Sequence, residues 1–174
     1  MAPAPGGELG MQPSPPDVEV RQAVLSDIPR ARQIHKLLFP EDPHTYAENI
    51  HFPTTCNMVA MKNGEVVGYA SSLTSGAEPE GRALWRRIRP YIGFVGVHPD
   101  HQQQGIGTAL LLKVYERLFE ITGALAVYLE THAETLEVYT KAGFVPMSTE
   151  EAESAFGRNP SSSVVCRLVR PSPT

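Results

Sequence analysis

Apolar and polar residues alternate at Val18-Glu19-Val20-Arg21, which predicts a first strand with one buried face. Helical spacing takes over after Ser26-Asp27-Ile28-Pro29. Ala31, Ile34, Leu37 and Leu38 supply the apolar face, Ser26 or Asp27 the cap, and Pro29 is tolerated in the first turn. Pro40 sets the end of this helix. Residues 41–56 are polar and leave room for a short second helix. The run at 57–62 reads as a strand, Asn63-Gly64 as a hairpin turn, and 65–73 as the returning strand, since Asn-Gly accepts the positive φ that tight hairpins need. Residues 74–87 read as a loop or short helix. The continuous apolar stretch 91–97 predicts a central strand. A long helix is expected over 105–120, with Ala109, Leu110, Leu112, Val114, Leu118 and Phe119 spread round much of its circumference and Gly123 closing it. Residues 126–131 form a further strand, 135–142 a short helix ended by a left-handed Gly143, and 163–169 the last strand. Hairpins mixed with strand–helix–strand units define an α/β or α+β domain.

Composition adjusts this picture at one end. Pro3, Pro5, Pro13, Pro15 and Pro16, with Gly6, Gly7 and Gly10, predict a disordered tail over 1–17 and leave 18–170 as a single domain within the 174 residues. The hydrophobic share of 41% and charged share of 20% are those of an ordinary soluble globular protein. Fifteen basic against 19 acidic residues give a net charge of −4, which argues against nucleic-acid binding by broad phosphate neutralisation. Cys56 and Cys166 are the two cysteines and stand in no Cys/His cluster, so no metal is expected and a reduced chain is. No apolar run reaches the roughly 18–20 residues of a membrane span. No basic segment followed by an apolar one opens the chain, so the expectation is a cytoplasmic protein without a membrane partner.

The segment that carries chemistry is Val95-Gly96-Val97-His98-Pro99-Asp100-His101-Gln102-Gln103-Gln104-Gly105-Ile106-Gly107-Thr108. An apolar strand runs into a polar, glycine-containing turn that opens a helix. Unpaired backbone amides and a helix dipole then point at one place, which suits an anion and above all a phosphate. The Walker loop is a poor match, because Gly107-Thr108 lacks the lysine that loop requires. A dinucleotide fingerprint is also poor, because Leu110 stands where the third glycine belongs and the turn sits late in the chain.

The run Gln102-Gln103-Gln104-Gly105-Ile106-Gly107 resembles the acyl-coenzyme A signature Arg/Gln-x-x-Gly-x-Gly/Ala of the GCN5-related N-acetyltransferases. Val97-His98-Pro99-Asp100-His101 resembles the segment preceding it, and Val138-Tyr139-Thr140-Lys141-Ala142-Gly143-Phe144 the family's later Leu-Tyr-x-Lys-x-Gly-Phe motif. The likeness spans about 18–170. It implies a mixed, mostly antiparallel sheet of about six or seven strands, splayed between the fourth and fifth and flanked by about four helices. It also implies acetyl-CoA as co-substrate. Val95, Gly96 and Val97 would line the pantetheine, with an amide near Val95 holding the oxyanion, and Gln102, Gln103, Gln104, Gly105, Ile106, Gly107 and Thr108 would take the pyrophosphate. Gly96 suits a bulge or a close backbone approach.

By the same resemblance Tyr139 is the general acid that protonates the leaving thiolate. Glu130, in Leu129-Glu130-Thr131, matches the glutamate that acts as base in the branch modifying protein N-termini; His98, Tyr91 and His44 are weaker alternatives. One departure is His132, where many members carry asparagine. The short loop after the fifth strand looks more like branches that modify small amines. Acceptor contacts are expected from 39–56, with Glu41, Asp42 and Glu48, and from 74–90, with Arg82, Arg86, Arg87 and Arg89. The implied enzyme transfers acetyl directly to a primary amine of a small molecule. A protein lysine or N-terminus, or a non-catalytic acyl-CoA-binding module, are the alternatives. Homodimerisation is left open.

Overall fold

The computed structural model describes residues 15–41, 56–74, 89–156 and 163–170. Its elements are β1 Val18–Gln22, α1 Ile28–Leu38, β2 Met58–Lys62, β3 Glu65–Leu73, β4 Tyr91–Val97, α2 Ile106–Thr122, β5 Ala126–Thr131, α3 Leu136–Lys141, β6 Val145–Pro146, α4 Thr149–Phe156 and β7 Val164–Val169. The helix expected within 41–56, the loop at 74–87 and the tail up to residue 14 lie outside the described residues.

Among the described residues seven strands form one sheet in the order β1-β2-β3-β4-β5-β7-β6. Every pairing is antiparallel except β4 with β5, and that parallel pair shares only two rungs, Tyr91 with Tyr128 and Ile92 with Leu129. The reason lies in β4. Ser72 opposes Ile92 and Ser71 opposes Phe94, so Gly93 is an extra residue in the strand. Such a bulge bends its strand and increases the local twist. Past Gly93, β4 follows β3 as far as Val97 while β5 follows β7, and the two central strands part.

Each face of the sheet has its own helix. Ile106, Leu110, Leu111, Val114 and Leu118 of α2 pack with Met58, Ala60, Val67, Ala70, Ile92, Val127 and Leu129. Ala31 and Ile34 of α1 pack with Val59, Val66 and Tyr69 on the other face. Side chains alternate along a strand, so Tyr128 and Glu130 face away from α2. The bulge lets Phe94 join the α1 side while Val95 and Val97 join the α2 side.

Two expectations for α1 are corrected. Leu37 is 55% exposed, and the buried stripe is Ala31, Ile34 and His35, with Leu38 beside it, the i, i+3, i+4, i+7 set of a single helix face. His35 belongs there because its Nδ1 lies 2.5 Å from the Tyr69 hydroxyl and its ring meets Phe94 edge-on. Asp27 does not cap forward. A 3₁₀ turn at Leu25–Asp27 precedes α1, so Asp27 already has helical backbone angles. Its carboxylate reaches back instead, to the Val24 amide at 2.8 Å and in two-pronged fashion to Arg21 at 2.7 and 2.9 Å.

The sequence reading contained neither β6 nor α4. A signal for α4 was present: Ser148 and Glu151 form a reciprocal cap, the Ser148 amide donating to Glu151 Oε2 at 3.0 Å and the Glu151 amide to Ser148 Oγ at 3.2 Å. Phe156 at its end stacks edge-on against Tyr128 of β5 and beneath the Arg89 guanidinium.

Candidate active site

Beyond Val97 the chain makes a 3₁₀ turn at Pro99–His101, with the His98 imidazole accepting from the Asp100 amide at 3.3 Å. His98 thus caps this turn. Gln103 and Gly105 both adopt positive φ, 59° and 78°, which turns the backbone sharply into α2. The first helical bond runs from Ala109 N to Gly105 O, so the amides of Ile106, Gly107 and Thr108 have no partner inside the helix. A Cβ on Gly105 would find its nearest neighbour, Pro15 Cγ, only at 3.8 Å. A cluster of outward amides at a helix start fits the pyrophosphate of an acyl-coenzyme A.

In the parted strands the backbone directions follow from one bond. The His98 amide donates to Val67 O of β3 at 2.8 Å. By alternation the Gly96 amide also turns toward β3, while those of Val95 and Val97 turn toward the gap. The Val97 carbonyl on that side accepts from Gln102 Nε2 at 3.0 Å. Gly96 has a different reason from the one expected. The bulge is at Gly93, and a Cβ on Gly96 would come within 2.6 Å of Tyr69 Cε1 and 2.8 Å of Leu38 Cδ1. Gly96 makes room for the Tyr69 ring on the α1 side.

Glu130 is one residue past the last rung shared by β4 and β5, on the face opposite α2. The Tyr91 hydroxyl of β4 donates to its Oε2 at 3.4 Å, and the Ser163 hydroxyl, just before β7, donates to its Oε1. β4, β5 and the residue just before β7 therefore bring a carboxylate and two hydroxyls together beside the opening. The sequence offers Tyr91 only as a weak alternative base and gives no sign of Ser163, because no local pattern links them to Glu130.

Tyr139 lies on α3 and packs toward the α2-side core, its ring edge-on to Phe144 at 6.4 Å. Burial, with a smaller contribution from nearby Cys166, pushes its hydroxyl above the ordinary phenol value, so it holds its proton at neutral pH. Glu130 thus lies on the face away from α2, and Tyr139 packs on the α2-side core. His132 is exposed at the turn into α3, where its carbonyl accepts from the Thr135 amide and hydroxyl. Cys56 and Cys166 are buried and unpaired, and burial raises both thiols. Of the acceptor-facing residues expected, Glu41 and Arg89 are described; Asp42, Glu48, Arg82, Arg86 and Arg87, and the alternative base His44, lie outside the described residues. Among the described residues no group of three or more His, Cys, Asp or Glu is placed to hold a metal, and no helix is long and apolar enough to cross a membrane.

A mixed sheet opened between two parallel central strands, with an anion turn at the head of the following helix, defines an acyl-CoA-dependent transferase. Residues 25–144 match the acetyltransferase (GNAT) family, and the chain belongs to it. It is an acetyl-CoA-dependent acetyltransferase acting on an amine acceptor. The chain is 28% identical over 134 residues to an N-alpha-acetyltransferase of Sulfurisphaera tokodaii, covering 74% of this chain and 80% of that protein. Its fold is similar to that of NAA60 of Arabidopsis thaliana in complex with acetyl-CoA, with a TM-score of 0.67 at 18% identity over 87% of this chain and 98% of that one. It is similar also to an aminoglycoside 6′-N-acetyltransferase complexed with coenzyme A, with a TM-score of 0.65 at 12% identity over 90% and 99%.

Proposed function

We propose that this acetyltransferase modifies the α-amino group of polypeptide N-termini, with Glu130 as general base and Tyr139 as general acid. The observation that carries the reading is the carboxylate of Glu130 held by Tyr91 and Ser163 on the face opposite the cofactor helix. Bound acetyl-CoA supplies the thioester and the thiol leaving group. The amides of 103–108 hold its pyrophosphate, and the backbone of Val95 and Val97 lines its pantetheine. The Val95 amide donates to the carbonyl oxygen as charge develops there. Glu130 takes a proton from the acceptor ammonium, directly or through one water, because only the free amine is a nucleophile. As the C–N bond forms and the C–S bond breaks, Tyr139, on the opposite face, gives its proton to the departing sulfur, and the second proton of the acetylated nitrogen is released through water and restores the Tyr139 hydroxyl.

The choice of acceptor is supported by basicity. An α-ammonium has a pKa of about 7.7–8.0 against about 10.4 for lysine, so a carboxylate base faces a penalty smaller by roughly 3 kcal/mol. The N-alpha-acetyltransferase of Sulfurisphaera tokodaii points the same way. The small-amine reading rests on the short loop between β5 and α3, and the aminoglycoside enzyme shares only the fold. Three acceptors presented at equal concentration test the reading: a peptide with a free N-terminus, the same peptide blocked there but carrying lysine, and an aminoglycoside. Thiol release and product mass are followed. The free N-terminus should give the highest kcat/KM; a higher value for the aminoglycoside or the lysine would overturn the assignment.

A further inference from the structure

Lys62 stands beside the phosphate turn, although neither recognised motif contains it. It ends β2 and its Nζ donates to Gln104 Oε1 at 2.9 Å, one residue before the helix start at Gly105. The same Nζ lies 2.9 Å from Asp17 Oδ2. Asp17 is held there by a turn in which the Val18 amide bonds to the Pro15 carbonyl at 2.9 Å. Pro15 Cγ in turn would be the nearest neighbour of a Cβ on Gly105, at 3.8 Å. The entry of the chain into β1 and the phosphate turn are therefore adjacent, with one ammonium pinned between a carboxylate and the turn.

We propose that Lys62 is a phosphate-binding residue for coenzyme A and that Asp17 is its electrostatic competitor. The inference rests on the reading of 102–108 as the pyrophosphate cradle. Lysine carries rotatable donors on a flexible four-carbon stem, so a small swing takes Nζ from Gln104 toward an anion seated on the following amides. The competing pair is weak: Asp17 is about half exposed, and exposed ion pairs contribute little. A pyrophosphate bears more charge than one carboxylate and is held by the turn at the same time. Cofactor binding then draws Lys62 away from Asp17, and the Asp17 carboxylate opposes it twice, by neutralising Lys62 and by repelling the phosphates.

Calorimetric titration of the full chain with coenzyme A tests this through two neighbouring substitutions of opposite sign. Lys62→Met should weaken binding about threefold to thirtyfold, and Asp17→Asn should tighten it about twofold to fivefold, both effects shrinking in high salt. A merely structural ion pair would give losses in both, and that result, or unchanged affinity in Lys62→Met, overturns the proposal. Dephospho-coenzyme A separates the phosphates: the Lys62→Met loss should persist with it, and its disappearance would overturn the assignment to the pyrophosphate. Melting temperatures confirm that each variant is folded. Gly105→Glu tests the turn itself. If it binds coenzyme A normally the cradle reading falls, whereas loss there with no effect of Lys62→Met removes Lys62 alone.

Discussion

The Tyr91 hydroxyl reaches Glu130 Oε2 at 3.4 Å, one residue beyond the last rung that β4 and β5 share. A carboxylate at that point is anchored by paired backbone behind it and opens on the parted strands ahead. With Ser163 on its other oxygen it is oriented before any acceptor arrives.

If Glu130 takes the proton of the acceptor ammonium, Glu130→Gln lowers kcat by roughly 10²–10⁴ at neutral pH. The deficit narrows as pH rises past the amine's own ionisation, where free amine is abundant. Rates measured from pH 6 to pH 10 check this; a variant with wild-type rate and profile removes Glu130 from the chemistry.

Two hydroxyls orient the Glu130 carboxylate. Ser163→Ala deletes one of them, so kcat falls about twofold to tenfold while melting temperature changes little. Ser163→Thr keeps the hydroxyl and restores the rate. Tyr91→Phe lowers it by less, because that bond is long.

Tyr139→Phe keeps the ring and its edge-on contact with Phe144 but deletes the proton donor. The expected fall in kcat is on the order of tenfold to several-hundredfold, at the lower end of general-acid contributions. KM for acetyl-CoA and thermal stability hold. Since burial raises the Tyr139 hydroxyl above the phenol range, any loss of activity from its ionisation comes at higher pH than for an ordinary phenol. Full turnover in the phenylalanine variant would leave the ring with packing alone.

Gly96→Ala forces a methyl within 2.6 Å of the fully buried Tyr69 ring. A loss of about 1–3 kcal/mol in urea unfolding is expected. Gly93→Ala, whose Cβ would meet only Ser71 O at 3.6 Å, costs far less. Equal losses at the two glycines would contradict this account of β4.

The Arg21 hydrogen bonds hold the Asp27 carboxyl below its ordinary range. A group depressed on folding contributes stability that is complete above the unfolded carboxylate value and is lost as pH falls through the lower folded value. Asp27→Asn therefore costs about 1–3 kcal/mol at pH 7 and flattens the acid side of the stability profile. Unfolding curves from pH 2 to pH 7 read both effects.

Every strand but β6, the two long helices and the glycine turn that opens α2 were legible because each depends on neighbours in the chain. Alternation marks a strand, Asn63-Gly64 accepts the positive φ of its hairpin, and Gly105, Gly123 and Gly143 all adopt the left-handed backbone at helix ends. The resemblance around Gln102 and Tyr139 carried the family and its co-substrate. Tertiary structure alone decided the rest. Leu37 and His35 both lie within the helical period, and the Tyr69 hydroxyl determines which is buried. Gly93 and Gly96 are two glycines of one apolar strand, and only the register against β3 makes the first a bulge and the second a seat for Tyr69. Tyr91 and Glu130 come from two strands and Ser163 from the approach to a third, far apart in the chain. Periodicity says which face a side chain takes, but not which strand lies beside it or where a parallel pair lets go. Those are set by the bulge and by two helices packing on opposite faces of one sheet, and they bring Glu130 to the opening.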